Sequence, residues 1–383
     1  MFEIDVKGLA ELEGGDSHRL AFEPVANVFD EFRGYEEGKK RPSFCAVTLE
    51  RNETGRGVVL KIADDGAGFA NERDIWTLFG STAKRGAAGV SGRFNAGDKQ
   101  LIAVARNASV RSNDIEVEFC DGERTVHRRR GSQLNGVIVS ALMPWSLGDM
   151  AAVETALRQV QAPDGLSYLV NGLAVKPAEV KATVNVTLPT ILLSEGVLRP
   201  TTRKTAVRIL KCDTPTLFEL GIPICSLEDV GFPWSLDVGQ KIPVPLSRNS
   251  VTPQYLHRLI GSVIEQAAMD GVSLLKEEEQ GAAFVKGALD WVREPEALKV
   301  AVSDLYGANA VRQSNDPIAN AHAAATGAPI VQGRWFTPET RRRLDETNSL
   351  PVSSTVFPGS ASLTQPSADG KQKCPRCGGV GTI

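Results

Sequence analysis

Apolar and polar residues alternate along FCAVTLE (44–50) and again along GVVLKIAD (57–64), with the polar stretch RNETGRG between them. A period of two predicts half-buried strands, and the short polar connection predicts that the two pair antiparallel. A second group follows over 108–142, where ASVRS, IEVEFC, TVHRRR and GVIVSALM alternate in the same way and Asp121-Gly122 marks a hairpin turn. Apolar positions at helical spacing predict helices from about Leu20 to Phe32 and from Asp149 to Gln161. Between the two strand groups, GSTAKRGAAGVSGRFNAGDKQ carries too little apolar surface for a core and reads as a mobile loop leading into a helix near Lys99 to Ala105. Helices segregated from an antiparallel sheet predict an α+β sandwich.

After SYLVNGLAVKP the pattern changes. TVNVTLPTILL, TAVRILKC and the segment around KIPVPLS are strand-like, and helices are expected over Pro253 to Met269 and within 281–306. Together they predict a second α+β domain. From about Val352 the chain is rich in Ser, Pro and Gly, the composition of a flexible linker. The expected organisation is a first domain over 1–148, a second over 149–345, a linker over 346–373 and a tail, CPRCGGVGTI, over 374–383.

Composition narrows the function classes. The 383 residues are 42% hydrophobic and 23% charged, enough for more than one core. A net charge of −3 and a pI near 6.0 advertise no global attraction to nucleic acid or anionic membranes. The acidic N-terminus is unlike a signal peptide, no run reaches the roughly 18 apolar residues of a membrane span, and a cytoplasmic location is expected. Cys45, Cys120, Cys212 and Cys225 are isolated in apolar or strand-like runs and read as small hydrophobes; Cys374 and Cys377 form the one closely spaced pair.

Three stretches carry chemistry. In FEPVANVFDEF, the residues Glu23, Asn27 and Asp30 are spaced to lie on one helix face. There a carboxylate could polarise water, and an amide oxygen suits a hard cation such as Mg²⁺; a solvated helix face has the same pattern. In IADDGAGF an apolar strand ends in Asp64, followed by Gly66 and Gly68. A buried carboxylate can accept an exocyclic amino group, and glycines admit close backbone approach, although an ordinary Asp-Gly turn is written the same way. In SGRFNAGDKQLIAVA a glycine-rich turn opens a helical run whose N–H groups suit phosphate oxygens. Lys99 could add charge there, with Ser81, Thr82 and Lys84 closing over the ligand; a plain surface loop is the alternative.

The order and spacing of these three resemble the ATPase superfamily of gyrase B-type topoisomerases, Hsp90, sensor histidine kinases and MutL (GHKL), nearest to its Hsp90-like and MutL-like members, over residues 15–145. The resemblance implies a Bergerat-type α/β sandwich that binds ATP with Mg²⁺ and hydrolyses it slowly. It implies Glu23 as general base, Asn27 as Mg²⁺ ligand and Asp64 as adenine reader, with Gly66 and Gly68 lining the base. Gly92, Phe94 and Gly97 match the second glycine box, and Asp30 the third polar position of the helix. Three positions depart from the pattern. Pro24 either starts the helix or kinks it, Asn95 replaces the middle glycine of the box, and Val137 stands where a threonine usually helps to bind adenine.

The resemblance also implies a following transducer-type, ribosomal S5-like domain that reaches the γ-phosphate. Arg248, in PLSRNSV, matches such a residue; Arg203 and Lys204 are lesser candidates, and a surface arginine is the alternative. His18, His127, His257 and His322 form no acceptor-helix pattern, which disfavours a histidine kinase. The terminal CxxCGGxG is similar to half of a zinc ribbon. Cys374 and Cys377 supply two of the four ligands zinc needs, so a second chain or another pair would complete the site, unless the tail holds no metal. The expectation is an ATP-driven, chaperone-like switch, with dimerisation or client binding as its output. A nucleotide sensor without turnover and a nucleic-acid-associated zinc protein are the alternatives. Phage proteins of the rapid-lysis A type are similar in their ATPase-first layout.

Overall fold

The computed structural model of the chain describes residues 16–34, 39–77, 89–91, 97–129, 131, 134–194, 197–243, 251–275, 287–357, 372–373 and 380–381. Asp16 opens the first helix among the described residues. Its carboxylate accepts the His18 and Arg19 N–H groups at 3.0 and 3.2 Å, pairing donors that a helix start leaves open. Helix α1 runs Ser17–Arg33, beginning earlier than the expected Leu20 because its cap lies upstream of the apolar pattern. Pro24 therefore sits inside the helix rather than at its start, and withholds the rung that would reach the Leu20 carbonyl. The apolar side chains of α1 enter the core with Leu20, Val25 and Phe29 buried, and the Phe29 ring meets Tyr168 edge-on at 5.8 Å.

Strands β1 (Phe44–Arg51) and β2 (Val58–Asp64) pair antiparallel, with Cys45 opposite Asp64. After a 3-10 turn at Glu72–Ile75 come α2 (Gly97–Val104), β3 (Asn107–Ser112), β4 (Ile115–Cys120), β5 (Glu123–Arg128) and β6 (Val137–Met143). Asp121 and Gly122 both have positive φ, 51° and 81°, as the two-residue hairpin requires. Helix α3 (Leu147–Gln159) begins at a reciprocal cap between Ser146 and Asp149. β7 (Ser167–Val170) and β8 (Leu173–Ala174) complete an eight-stranded sheet of order β5-β4-β3-β6-β2-β1-β7-β8. The sheet is mixed: β7 lies parallel to β1, pairing Tyr168 with Cys45. It runs to Ala174, so the domain edge expected at 148 falls within its span. Alternation gives a strand its faces but not its partner.

A second sheet, β12-β11-β13-β10-β9, contains the long pair β9 (Glu179–Ser194) and β10 (Val197–Lys211) with β11 (Thr216–Glu219), β12 (Ile222–Ser226) and β13 (Ser235–Val238). β11 and β13 are buried at every position, which leaves no alternation for a sequence reading to find. Residues 241–243, expected in a strand, belong to none; they are held by Ile242 N–H donating to Glu219 at 2.7 Å and by Thr190 Oγ1 donating to the Lys241 carbonyl at 2.8 Å. The Gly221 carbonyl accepts from Gln161 N–H at 2.8 Å, and a Cβ on Gly221 would lie 2.0 Å from the Gln161 carbonyl oxygen, so this crossing admits glycine alone. Residue 221 also has φ of +85°.

The chain divides into two compact units, Met1–Leu256 and His257–Ile383, within helix α4 (Pro253–Met269). The second unit contains α5 (Pro295–Tyr306), α6 (Pro317–Ala325), α7 (Pro338–Thr347) and α8 (Ser353–Val356), the first three opening on proline. β14 (Val311–Arg312) runs parallel to β15 (Ile330–Val331) and bridges to Val352. Leu350 and Ser353 are fully buried, so residues 346–357, expected as linker, are folded. Their Ser- and Pro-rich composition hides two core anchors. Further along, β16 (Gln372–Lys373) pairs antiparallel with β17 (Val380–Gly381). Among the described residues no helix is long and apolar enough to cross a membrane.

Candidate functional site

At helical pitch Glu23, Asn27, Asp30 and Glu31 fall within about 100° of one another around α1. Among the described residues this face makes three contacts with the motif turns. Glu23 packs on Gly97, where a Cβ would lie 2.1 Å from its Oε2. Asp30, 1% exposed, accepts the Ser91 N–H at 2.6 Å and the Ser91 hydroxyl at 3.2 Å. Glu31 accepts the Ala67 N–H at 2.8 Å and lies over Gly66, where a Cβ would be 2.6 Å from its Oε1. One helix therefore holds the turn after β2 and the approach to α2. Arg19 is paired with Glu23, Nε to Oε1 at 3.5 Å, one helical turn away.

Asp64 ends β2 as a buried carboxylate, 6% exposed. Burial pushes its pKa up to about 6, aided by the negative charges of Glu31 and Asp65 and opposed by hydrogen bonds from the Gly66 and Val137 N–H groups. The Gly66 bond measures 2.8 Å. Gly68 takes φ of +75°, and a Cβ there would lie 2.5 Å from the Ser112 hydroxyl, which instead bonds the Phe69 N–H at 2.8 Å. Gly136 takes φ of +94° with room for a Cβ only 2.2 Å from the Asp64 carbonyl oxygen. The strand end and its turn are thus held by the Ser112 hydroxyl of β3 and by the Gly136 backbone that leads into β6.

Asp65 faces the other way. It accepts the Ser43 N–H (2.6 Å), the Ser43 hydroxyl (2.8 Å) and the Phe44 N–H (3.3 Å), with Lys40 Nζ at 3.3 Å. Slight desolvation works against ionisation, but these bonds outweigh it and hold the carboxyl below the usual range.

Of the residues singled out in the sequence, Glu23, Asn27, Asp30, Gly97, Asp64, Gly66 and Gly68 lie on α1 or on the turns it touches. Lys99 does not share the helix face that meets Glu23. It is 5% exposed and lines a separate groove of about 210 Å³ with Trp76, Ile102, Arg106 and Phe119. Ser81, Thr82, Lys84, Gly92, Phe94, Asn95, Arg248, Cys374 and Cys377 lie outside the described residues. Arg203 and Lys204 are exposed on β10.

No family model matches the chain, and no curated protein matches it. Among solved structures it is similar to the ATPase region of Saccharomyces cerevisiae topoisomerase II bound to ICRF-187 (dexrazoxane), at 8% identity and a TM-score of 0.38 over 67% of this chain and 86% of that one. It is also similar to a further structure of the Saccharomyces cerevisiae topoisomerase II ATPase region, at 8% identity and a TM-score of 0.38 over 63% of this chain and 82% of that one.

Two site residues escaped the sequence reading. Glu31 stands beside Asp30 and signals nothing until the fold brings Ala67 to it. Gly136 precedes an ordinary strand, and its only sequence mark is the Asn-Gly pair before the apolar run.

Proposed function

We propose that this chain is a GHKL-type ATPase, binding ATP at the face of α1 and hydrolysing it slowly. The observation that carries the reading is that α1 holds both motif turns, Glu23 on Gly97 at one end and Glu31 on Ala67 at the other. Glu23 and Glu31 are eight residues apart, about 12 Å along the helix, a span on the scale of an extended nucleoside triphosphate. Asp64, buried and ionised at neutral pH, would accept the exocyclic amino group of adenine. Glu23 would take the proton of the attacking water as general base, with Arg19 orienting its carboxylate. Asn27 offers an amide oxygen on the same face, and with a neighbouring carboxylate this all-oxygen donor set fits a hard cation such as Mg²⁺. Asn27 would hold that ion, whose charge would offset that of the phosphates.

The box residues Gly92, Phe94 and Gly97 would present backbone N–H groups to phosphate, and Ser81, Thr82 and Lys84 would close over them. Lys99, lining its own groove, would contribute its charge at longer range. Arg248 would meet the γ-phosphate and couple ATP to a change in association, with dimerisation or client binding as its output. The tail is a candidate zinc site shared between two chains, with Cys374 and Cys377 supplying two of the four ligands and a second chain the others.

Glu23→Gln tests the catalytic claim. Phosphate release should fall by about 10²–10⁴-fold, with ADP affinity preserved. Equal rates in variant and wild type would leave the nucleotide-sensor reading in its place.

A further inference from the structure

We propose that Glu31 is a positioning residue whose carboxylate clamps the Gly66–Ala67 turn and thereby aims Asp64 at its ligand. Its Oε1 accepts the Ala67 N–H at 2.8 Å and occupies the space a Cβ on Gly66 would need. The same turn returns the Gly66 N–H to Asp64 Oδ1 at 2.8 Å. Glu31, the turn and Asp64 thus form one chain of hydrogen bonds running from α1 to the end of β2. Without Glu31, the Ala67 N–H loses its partner on the helix side and the turn loses its stop against α1. Gly66 and Ala67 have no polar side chains with which to replace it.

Among the described residues the groups that face or act on Asp64 are few. From α1 comes the Glu31 carboxylate, from the same turn the Gly66 N–H, from β6 the Val137 N–H, and from β1 the Cys45 thiol, which is raised by burial and by Asp64 itself; Asp65, turned away, acts only through its charge. Glu31 stands on α1, so it can be changed without touching the strand. Its negative charge opposes ionisation of Asp64, so removing the charge while keeping the oxygen should separate aiming from titration.

The test uses the full-length chain with Glu31→Ala and Glu31→Gln. Hydrogen–deuterium exchange across residues 64–69 in ligand-free protein reads the clamp directly. Glu31→Ala should lose protection there, whereas Glu31→Gln, whose amide oxygen still accepts, should restore it. The second measurement is ADP affinity against pH, and it rests on the adenine reading of Asp64. Glu31→Ala should weaken ADP about tenfold at neutral pH, the scale for an unmade buried hydrogen bond. Glu31→Gln should stay near wild type at neutral pH and retain binding to lower pH.

Wild-type protection in Glu31→Ala overturns the clamp. Lost protection with unchanged ADP affinity overturns the aiming. Should Glu31→Ala fail to fold, Glu31→Asp, whose shorter side chain draws the oxygen back from Ala67, takes its place, and wild-type protection across 64–69 in that variant overturns the clamp. A wild-type chain that ignores ADP while Glu31→Ala loses protection removes the nucleotide reading and leaves the clamp standing.

Discussion

The end of β2 and the entrance of β1 lie side by side, and each uses one of two consecutive aspartates in opposite ways. Asp64 turns inward, buried against a second carboxylate, and its ionisation is held back to about pH 6. Asp65 turns outward and is held below the usual carboxylate range by the Ser43 and Phe44 N–H groups, the Ser43 hydroxyl and Lys40. The folded protein binds a proton at Asp64 more tightly than the unfolded chain does, so this residue lowers stability as pH rises from about 4 to 6. Asp65 has the reverse sign: its contribution is present above the unfolded pKa and is lost as pH falls through its depressed folded value. Asp64 is thus a cost that a ligand can offset, and Asp65 is a fastener.

The largest effect should come from Asp64→Asn. An amide can still accept from Gly66 but presents a donor where, on the proposed reading, adenine would also donate, so ADP affinity should drop about a hundredfold. In the same variant the ligand-free protein should gain about 1–3 kcal/mol at pH 7.5, seen as a higher Tm, because a buried charge is gone. A loss of both affinity and stability would break the contrast. In the wild type, nucleotide affinity should fall as pH drops through about 6, where Asp64 takes up its proton. Titration of affinity between pH 8 and 5 checks this, and a flat profile would separate Asp64 from the ligand.

Asp65→Ala should act on the other side. It leaves two backbone N–H groups at the start of β1 without their acceptor and should cost about 1–3 kcal/mol by denaturant unfolding at neutral pH, with ADP affinity little changed. Smallest is Lys40→Ala. It removes a half-exposed partner at 3.3 Å and should cost at most about 1 kcal/mol, screened further by salt. A Lys40→Ala effect equal to that of Asp65→Ala would mean that charge, rather than the backbone cap, fastens β1.

Much of the α1 face was legible from spacing, because a helix turns a four- and seven-residue interval into shared direction. The β1–β2 and β4–β5 hairpins were legible for the same local reason: alternation and an Asp-Gly turn. What spacing could not give was partnership. Nothing in SYLV announces that it will run parallel to β1, nor does Glu31 announce Ala67, because both depend on residues far along the chain. Lys99 shows the converse. Its place at the start of a helix pointed toward phosphate, yet it lines the groove beside Trp76 and Phe119, away from the face of α2 that meets Glu23. The folded stretch around Leu350 was hidden by a composition dominated by small and polar neighbours.

Because α1 supports Gly97, Ser91 and Ala67 together, the two halves of the site are mechanically dependent. A slide of the helix by one residue, about 1.5 Å, would slacken all three attachments at once. Damage at opposite ends should therefore be non-additive: once Glu31 has let go of its turn, losing Glu23 as well should cost a different amount than it does in the intact chain. The helix acts as a common beam, and what is felt at one end is transmitted to the other.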